Sequence, residues 1–295
     1  MGYVFGLVSA FCFGAGAVFF RVGQHRRPND DGHWLSNLVN TIGFAALAAV
    51  ATWPTWNRDG FVALIVAGVA GTVFGRFSLL RGIRLVGATR GNTFQAATPV
   101  TAAIFGWILL GEAISWLEAL GGAITLIGLL RIVRSSASAG SSAVISPAVR
   151  GYVVASGAPL FFGIAFILRK WGLERFPGAV TGAFIGSLSG IIVLSIWEAG
   201  QGRLKMRIRE GLTVDAWPQA WPFIAAGAVT TVALLTQFLA LERLEAWIVG
   251  ILAGTSAIFT AALSMVFLRA DERLSWSLVA SIGVVFVGIT TIALG

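Results

Sequence analysis

Hydrophobic residues in this chain form long, nearly uninterrupted runs that are separated by short polar segments. A helix that crosses a bilayer needs about 20 mostly apolar residues, and ten runs meet that length. They cover residues 2–20, 34–53, 61–83, 88–110, 116–134, 151–169, 179–198, 221–242, 246–268 and 276–294. The pattern therefore predicts an all-α integral membrane protein with ten transmembrane helices.

The second half of the chain repeats the first. Three short motifs recur 149 residues later, and a fourth recurs 160 residues later. The pairs are 2–4 with 151–153, 13–14 with 162–163, 21–23 with 170–172, and 110–116 with 270–276. A period this long in an apolar chain indicates a duplicated helical bundle.

The duplication also predicts how the halves are oriented. Each half contains five apolar runs, and an odd number of crossings makes the two halves traverse the membrane in opposite directions. This defines an inverted repeat, an architecture common among secondary transporters. The expected units are residues 1–134 and 151–295, joined by a flexible, serine-rich linker over 135–150.

Composition supports a lipid environment. Only 12% of the residues are charged and 57% are hydrophobic, whereas soluble proteins carry about 25% charged residues. The net charge of +8 does not indicate nucleic-acid binding, because the basic residues are spread among short loops, where membrane lipids are the expected partners. A single cysteine, Cys12, excludes a disulfide framework and a thiolate metal site.

The distribution of basic residues predicts an orientation. Fifteen of the lysines and arginines fall in loops on the side opposite Met1, and five fall in loops on the same side as Met1. The positive-inside rule then places both termini outside the cytoplasm. We expect an integral protein of a prokaryotic plasma membrane.

Arg76 is the clearest charge inside an apolar run. A charged side chain in a membrane helix costs about 3 kcal/mol or more, which makes it a candidate for function. It either faces a cavity and binds an anionic substrate group, or it extends to the headgroups beside Arg81 and Arg84. The sequence leaves these two interpretations open.

Uncharged polar residues form a second group of candidates. Pairs three residues apart share one face of a helix. The substrate-binding candidates are Asn37, Asn40, Asn92, Gln95, Thr98, Gln237 and Ser256, together with Arg76. Helices two to four and seven to nine would line a central cavity. The alternative is hydrogen bonding between helices, worth about 0.6 kcal/mol for each bond.

Catalytic and metal-binding groups are sparse. The only histidines, His25 and His33, share the first loop with Asp30 and Asp31. A loop metal site is one interpretation, and solvated side chains are the favoured one. We therefore expect no enzyme activity, no metal and no cofactor. The glycine-rich last helix of each half, 116–134 and 276–294, would act as a scaffold or form a homodimer.

Two blocks of sequence resemble a known family. Residues 75–90 (GRFSLLRGIRLVGATR), 97–100 (ATPV) and 110–112 (LGE) resemble the third and fourth helices of EamA-type transporters, in the drug/metabolite transporter superfamily. Residues 255–260 (TSAIFT), 267–272 (FLRADE) and 284–288 (VVFVG) resemble the matching block of the second half. One departure is Ala257, which stands where the first half has Pro99, so the fourth helix is expected to keep a bend that the ninth lacks.

The resemblance implies a function. It indicates a secondary transporter, an exporter or exchanger, that moves a small polar metabolite, anionic or zwitterionic, by alternating access. The first run, 2–20, has no acidic residue, which argues against the proton-coupled cation exchange of small multidrug transporters. The alternatives are a non-transporting receptor or scaffold and a flippase for lipid-linked sugars.

Overall fold

The computed structural model describes residues 1–28, 30, 32–110, 115–137, 147–212, 217–244, 246–268 and 276–294, and helix is the only regular secondary structure in these ranges. Six helical spans are long and apolar enough to cross a membrane. They are Gly2–Arg26, Arg58–Val86, Val149–Arg175, Ala179–Gly200, Trp217–Leu241 and Ile248–Phe267. The predicted all-helical integral membrane protein is thereby confirmed.

Each of the ten predicted runs contains helix. The helices are α1 Gly2–Arg26, α2 His33–Val50, α3 Arg58–Gly68, a π-helical segment Val69–Gly75, α4 Arg76–Val86, α5 Ala88–Gln95, α6 Thr98–Leu110, α7 Trp116–Ala137, α8 Pro147–Arg175, α9 Ala179–Gly200, α10 Leu204–Leu212, α11 Trp217–Leu241, α12 Ala246–Gly254, α13 Ser256–Phe267 and α14 Trp276–Ala293. Both ends of the predicted linker, 135–137 and 147–150, are helical. Its centre, 138–146, lies outside the described residues, as do 111–114 and 269–275, which include parts of the family-like motifs and of the fourth repeated motif.

The fourth and ninth predicted helices are both interrupted. The hydroxyl of Thr98 donates to the Gln95 carbonyl at 2.6 Å between α5 and α6, and the hydroxyl of Thr255 donates to the Leu252 carbonyl at 2.6 Å between α12 and α13. The expectation that only the fourth helix is bent is therefore wrong. The ninth helix has Ala257 where the fourth has Pro99, so its break does not require proline.

Contacts between the two halves come in exchanged pairs. Helix α1 packs on α11, and its repeat counterpart α8 packs on α3 and α4. Similarly, α1 contacts α13 while α8 contacts α6, and α2 contacts α11 while α9 contacts α3. Since each contact has its counterpart with the halves interchanged, the two repeats interlock around one centre.

Repeated glycines mark these crossings. A Cβ atom on Gly14 of α1 would lie 3.0 Å from the Ser256 carbonyl oxygen, and Gly163, the repeat counterpart of Gly14, faces Thr101 just as closely. Small residues let membrane helices approach to backbone contact. The repeated motifs at 13–14 and 162–163 therefore mark where the first helix of each half crosses the other half.

The basic residue of the third repeated motif also has the same role in both halves. Arg21 donates to the carbonyl oxygens of Ile83 and Arg84 at 3.2 and 2.9 Å. Its counterpart Lys170 donates to those of Leu241 and Leu244 at 3.0 and 3.4 Å. Cations suit helix C-termini, where carbonyl groups lack helical partners. Each of these two residues connects the first predicted helix of its half to the end of the third predicted helix of the same half, which is α4 in the first half and α11 in the second.

The last helices of the two halves, α7 and α14, pack on each other within the chain. A Cβ on Gly121 would lie 2.6 Å from the Ile292 backbone nitrogen, and one on Gly128 would lie 2.9 Å from that of Val285. This contact fits the predicted scaffold. The glycine faces are occupied internally, so the predicted homodimer would have to use the outer faces of these helices.

The first loop contains more structure than the sequence suggested. His33 begins α2 with 3% of its surface exposed, and its Nε2 lies 2.8 Å from the Thr72 carbonyl oxygen. Thr72 belongs to the π-helical segment, where the normal helical ladder is disturbed. The interpretation of a solvated side chain is therefore wrong for His33. Asp31 lies outside the described residues.

Candidate substrate site

A cavity lies at the centre of the bundle, between the two repeats. Both halves contribute to its lining, from α1, the π-helical segment, α4, α5, α8 and α11. The lining residues are Phe13, Gly16, Ala17, Phe20, Gly71, Thr72, Arg76, Leu79, Ile83, Gln95, Phe162, Phe166, Arg169, Thr230, Leu234 and Gln237. Secondary transporters bind substrate in this position, at the interface of their repeats.

Arg76 opens α4, directly after the π-helical segment, and its side chain points inwards. It is 7% exposed and donates to the hydroxyl of Thr230 on α11 at 2.7 Å. The guanidinium carbon also lies 5.5 Å from the ring centre of Phe20. Arg76 therefore occupies the cavity wall and does not extend to the headgroups beside Arg81 and Arg84.

A second arginine enters the same cavity from α8. Arg169 is 5% exposed, donates to the Oε1 of Gln237 at 2.7 Å, and lies 5.5 Å from the ring centre of Phe238. Across from it is Gly71, where a Cβ would lie 2.8 Å from one guanidinium nitrogen. The absence of a side chain at Gly71 makes room for the arginine.

Neither arginine has an acidic partner within the ranges that the structure describes. Their side-chain partners are a hydroxyl and an amide, and no aspartate or glutamate of the described ranges lines the cavity. Two buried guanidinium groups therefore give the cavity a positive potential, which walls of low dielectric constant concentrate. Five N–H donors on each group suit carboxylate or phosphate oxygens.

The predicted candidates divide into two groups. Arg76, Gln95 and Gln237 line the cavity. The others are absent from its lining. They are Asn37, Asn40, Asn92, Thr98 and Ser256.

Contacts between helices explain most of the second group. The amide nitrogen of Asn92 donates to the hydroxyl oxygens of Ser256 and Thr260 at 3.2 and 2.8 Å, which joins α5 to α13. Asn40 donates to the hydroxyl of Thr231 on α11 at 3.3 Å. Asn37 is fully buried, and both polar atoms of its amide lack a hydrogen-bond partner among the described residues.

The helices that form the cavity also differ from the prediction. The third, fourth and eighth predicted helices contribute, but α2, α9, α12 and α13 do not. Instead α1 and α8, which have no polar face that the sequence analysis singled out, run along the cavity. Glycines such as Gly14 and Gly163 bring these two helices to the centre of the bundle.

Arg169 and Thr230 are cavity residues that the sequence analysis missed. Arg169 ends the predicted run 151–169 and is followed by Lys170, so it counts among the five basic loop residues on the side of Met1. In the structure α8 continues for six residues to Arg175. The repeat indicates the same extension, because Lys170 aligns with Arg21 and α1 also continues beyond its apolar run, to Arg26.

These features define a class of protein: a helical membrane protein with a duplicated bundle and, between its repeats, a cavity that contains two buried arginines. The model of the EamA-like transporter family matches residues 1–134 and 149–294, and the chain belongs to that family. It is thereby a member of the drug/metabolite transporter superfamily. The family consists of membrane transporters for small substrates and not of enzymes.

Two further similarities were found. Human solute carrier family 35 member G1 is 25% identical over 211 residues, which cover 66% of this chain and 56% of the human protein. A solved crystal structure of a protein that is 17% identical aligns over 97% of this chain and 96% of its own, with a TM-score of 0.59. The latter similarity shows a shared fold.

Proposed function

We propose that this protein is a secondary transporter that moves a small organic anion by alternating access and binds it in the central cavity. The observation that carries the proposal is the pair Arg76 and Arg169, both buried, both lining one cavity, and neither paired with a carboxylate in the described structure. Burying a cation without a counter-charge is costly. A bound anion would supply the missing charge.

The same charges favour exchange over simple export. Without substrate the carrier has to carry two uncompensated cations through its change of conformation. With an anion bound, the buried charge is reduced and the change is easier. Returning with a second anion is then faster than returning empty, so we propose an exchanger in a prokaryotic plasma membrane.

We further propose that the chain crosses the membrane ten times in two inverted halves. Support comes from contacts between connections that this topology places on the same side. Arg207, between α9 and α11, pairs with Asp30 in the first loop at 2.5 Å. On the other side, Arg243 lies 5.2 Å from the ring centre of Phe5, and Glu242 accepts from the Ala179 backbone nitrogen at 2.6 Å.

Replacing each cavity arginine tests the proposed substrate. We expect Arg76→Gln and Arg169→Gln each to weaken anion uptake into proteoliposomes about ten- to a hundredfold, because a hydrogen bond to a charged group contributes about 1.5–3 kcal/mol. Arg175→Gln is the matched control, because Arg175 lies on α8 as well but is exposed. Wild-type rates in both cavity variants, with correct folding, would overturn the proposal.

A further inference from the structure

Gln95 lines the cavity and carries a buried hydrogen-bond acceptor without a partner among the described residues. The residue ends α5 and is 4% exposed, and its Oε1 is buried without a hydrogen-bond partner among the described residues. Buried polar atoms are almost always hydrogen-bonded, so an unpaired one in a candidate site requires an explanation. A group that arrives with the substrate provides one.

The surroundings hold Gln95 in place. One turn earlier, Asn92 bonds to Ser256 and Thr260 of α13, and Thr98 donates to the backbone carbonyl of Gln95 itself. These bonds fix the backbone at the end of α5. The side chain thus lies at the cavity on a fixed support, an arrangement that favours selective recognition.

Each cavity arginine uses one of its donor groups on α11. Arg76 donates to Thr230, and Arg169 donates to Gln237, so both arginines bind uncharged partners on α11 while the Oε1 of Gln95 stays unpaired. An unpaired acceptor on a side chain that lines a cavity with two cationic donors is matched by a ligand that carries a donor of its own.

We propose that the substrate is a hydroxylated organic anion and that Gln95 is the residue that recognises its hydroxyl group. This inference rests on the proposed function, in which the arginines bind the acidic group. An ammonium group is also a donor, but two guanidinium groups without a carboxylate would repel it. Apolar side chains, including Leu79, Ile83 and Leu234, are left to contact the carbon skeleton.

Matched pairs of ligands test the inference directly. The first pair is L-malate and succinate, and the second is glycerol 3-phosphate and propyl phosphate. In each pair only the first compound carries a hydroxyl group on its carbon skeleton. L-Aspartate, which has an ammonium group in place of the hydroxyl of malate, is the fifth probe. Affinities are measured by isothermal titration calorimetry on the full-length protein in detergent. We expect the hydroxylated member of a bound pair to bind about tenfold or more tightly, since a site built for a hydroxyl rejects the analogue that lacks it.

Replacing Gln95 assigns the preference to its side chain. Gln95→Met keeps the length of the side chain and removes the acceptor, so the two members of each pair should bind within about twofold of each other. Binding of the unhydroxylated member should stay near the wild-type value. Gln219→Met is the matched control, because Gln219 is exposed on α11, and it should preserve the preference.

Each other outcome has a definite meaning. Equal binding of both members by the wild type, with loss in Arg76→Gln, would overturn the hydroxyl inference and leave anion transport standing. Equal weakening of both members in Gln95→Met would make Gln95 structural and also overturn it. Tighter binding of aspartate than of malate would show that the site recognises an ammonium group, and it would overturn the hydroxyl inference. If no anion binds, the proposed function itself fails.

Discussion

At the scale of single residues, each cavity arginine depends on a partner in α11. Thr230 accepts from Arg76, and Gln237 accepts from Arg169. These partners are seven residues apart, so two helical turns of α11 present them on similar sides. One helix thus holds both cations in place while the cavity is empty.

Removing one partner should reduce stability. Thr230→Val keeps the shape of the side chain and leaves a buried guanidinium without that hydrogen bond. We expect the free energy of unfolding to fall by about 1.5–3 kcal/mol, the usual range for a hydrogen bond to a charged group. Reversible unfolding in mixed micelles of a mild and a denaturing detergent measures this change.

Thr290→Val serves as the control for that experiment. The Thr290 hydroxyl is exposed and donates to the Phe286 carbonyl of its own helix, so its loss should change stability by less than about 0.5 kcal/mol. If the two substitutions lower the free energy of unfolding equally, the hydrogen bond between Arg76 and Thr230 does not stabilise the protein measurably.

Sequence alone identified part of the site, and physical reasons explain the rest. Arg76 was recognisable because it interrupts an apolar run. Asn92 and Gln95 share one pattern, yet Gln95 lines the cavity while Asn92 bonds to α13. Spacing along a helix shows which residues share a face but not which neighbour that face meets, because the neighbour depends on packing between distant segments.

At the scale of elements, the short helix α10 shows how a connection is fixed. Arg207 of α10 is 8% exposed and pairs with Asp30 at 2.5 Å and with Glu198 at 3.5 Å. Arg203 also pairs with Glu198, at 3.1 Å. These ion pairs tie the first loop, the end of α9 and the start of α10 together.

Breaking this cluster should destabilise the protein. Arg207→Met removes one partner and leaves buried carboxylates with less compensation, which costs about 3–5 kcal/mol in comparable buried pairs. Detergent unfolding again provides the measurement. Lys205→Met on the same helix is the control, because Lys205 is exposed and should matter little. Equal stability of the two variants would contradict a structural role for Arg207.

The helices themselves were the most predictable feature, and their interruptions were the least. Apolar runs mark helices reliably because lipid requires satisfied backbone groups. Hydrophobicity does not reveal a break, since the run that is interrupted at Thr255 is as apolar as runs that form continuous helices. Pro99 predicts an interruption in the fourth helix, but Ala257 at the equivalent position of the ninth helix does not.

At the scale of the whole molecule, the charge bias predicts that both termini lie outside the cytoplasm. A fluorescent protein that matures only in the cytoplasm, fused after Gly295, should therefore stay dark. The same reporter fused to a chain truncated at Gly202 should be bright, because that connection lies on the opposite side in the proposed topology. Bright colonies from the Gly295 fusion would contradict the predicted orientation.

The duplication was visible in the sequence, but the way the halves interlock was not. A shared offset of 149 residues identifies equivalent positions without specifying which helices touch. The glycines that bring α1 and α8 to the centre are scattered among many others in an apolar chain. Their partners come from the opposite half and lie far away in sequence, so they emerge only when the helices are packed.

Phe20 and Arg169 are equivalent positions of the two repeats, yet one is an aromatic ring and the other a cation. With identical repeats, a solute arriving from either face would meet the same chemistry. Here the second half places its cavity cation on its first helix, at Arg169, whereas the first half places its cation on its third predicted helix, at Arg76, 5.5 Å from the Phe20 ring. In a carrier of this design, the substrate concentration that half-saturates transport would differ between the two faces of the membrane. Substrate would then bind more readily from one face and be released more readily to the other, while the final gradient is unchanged.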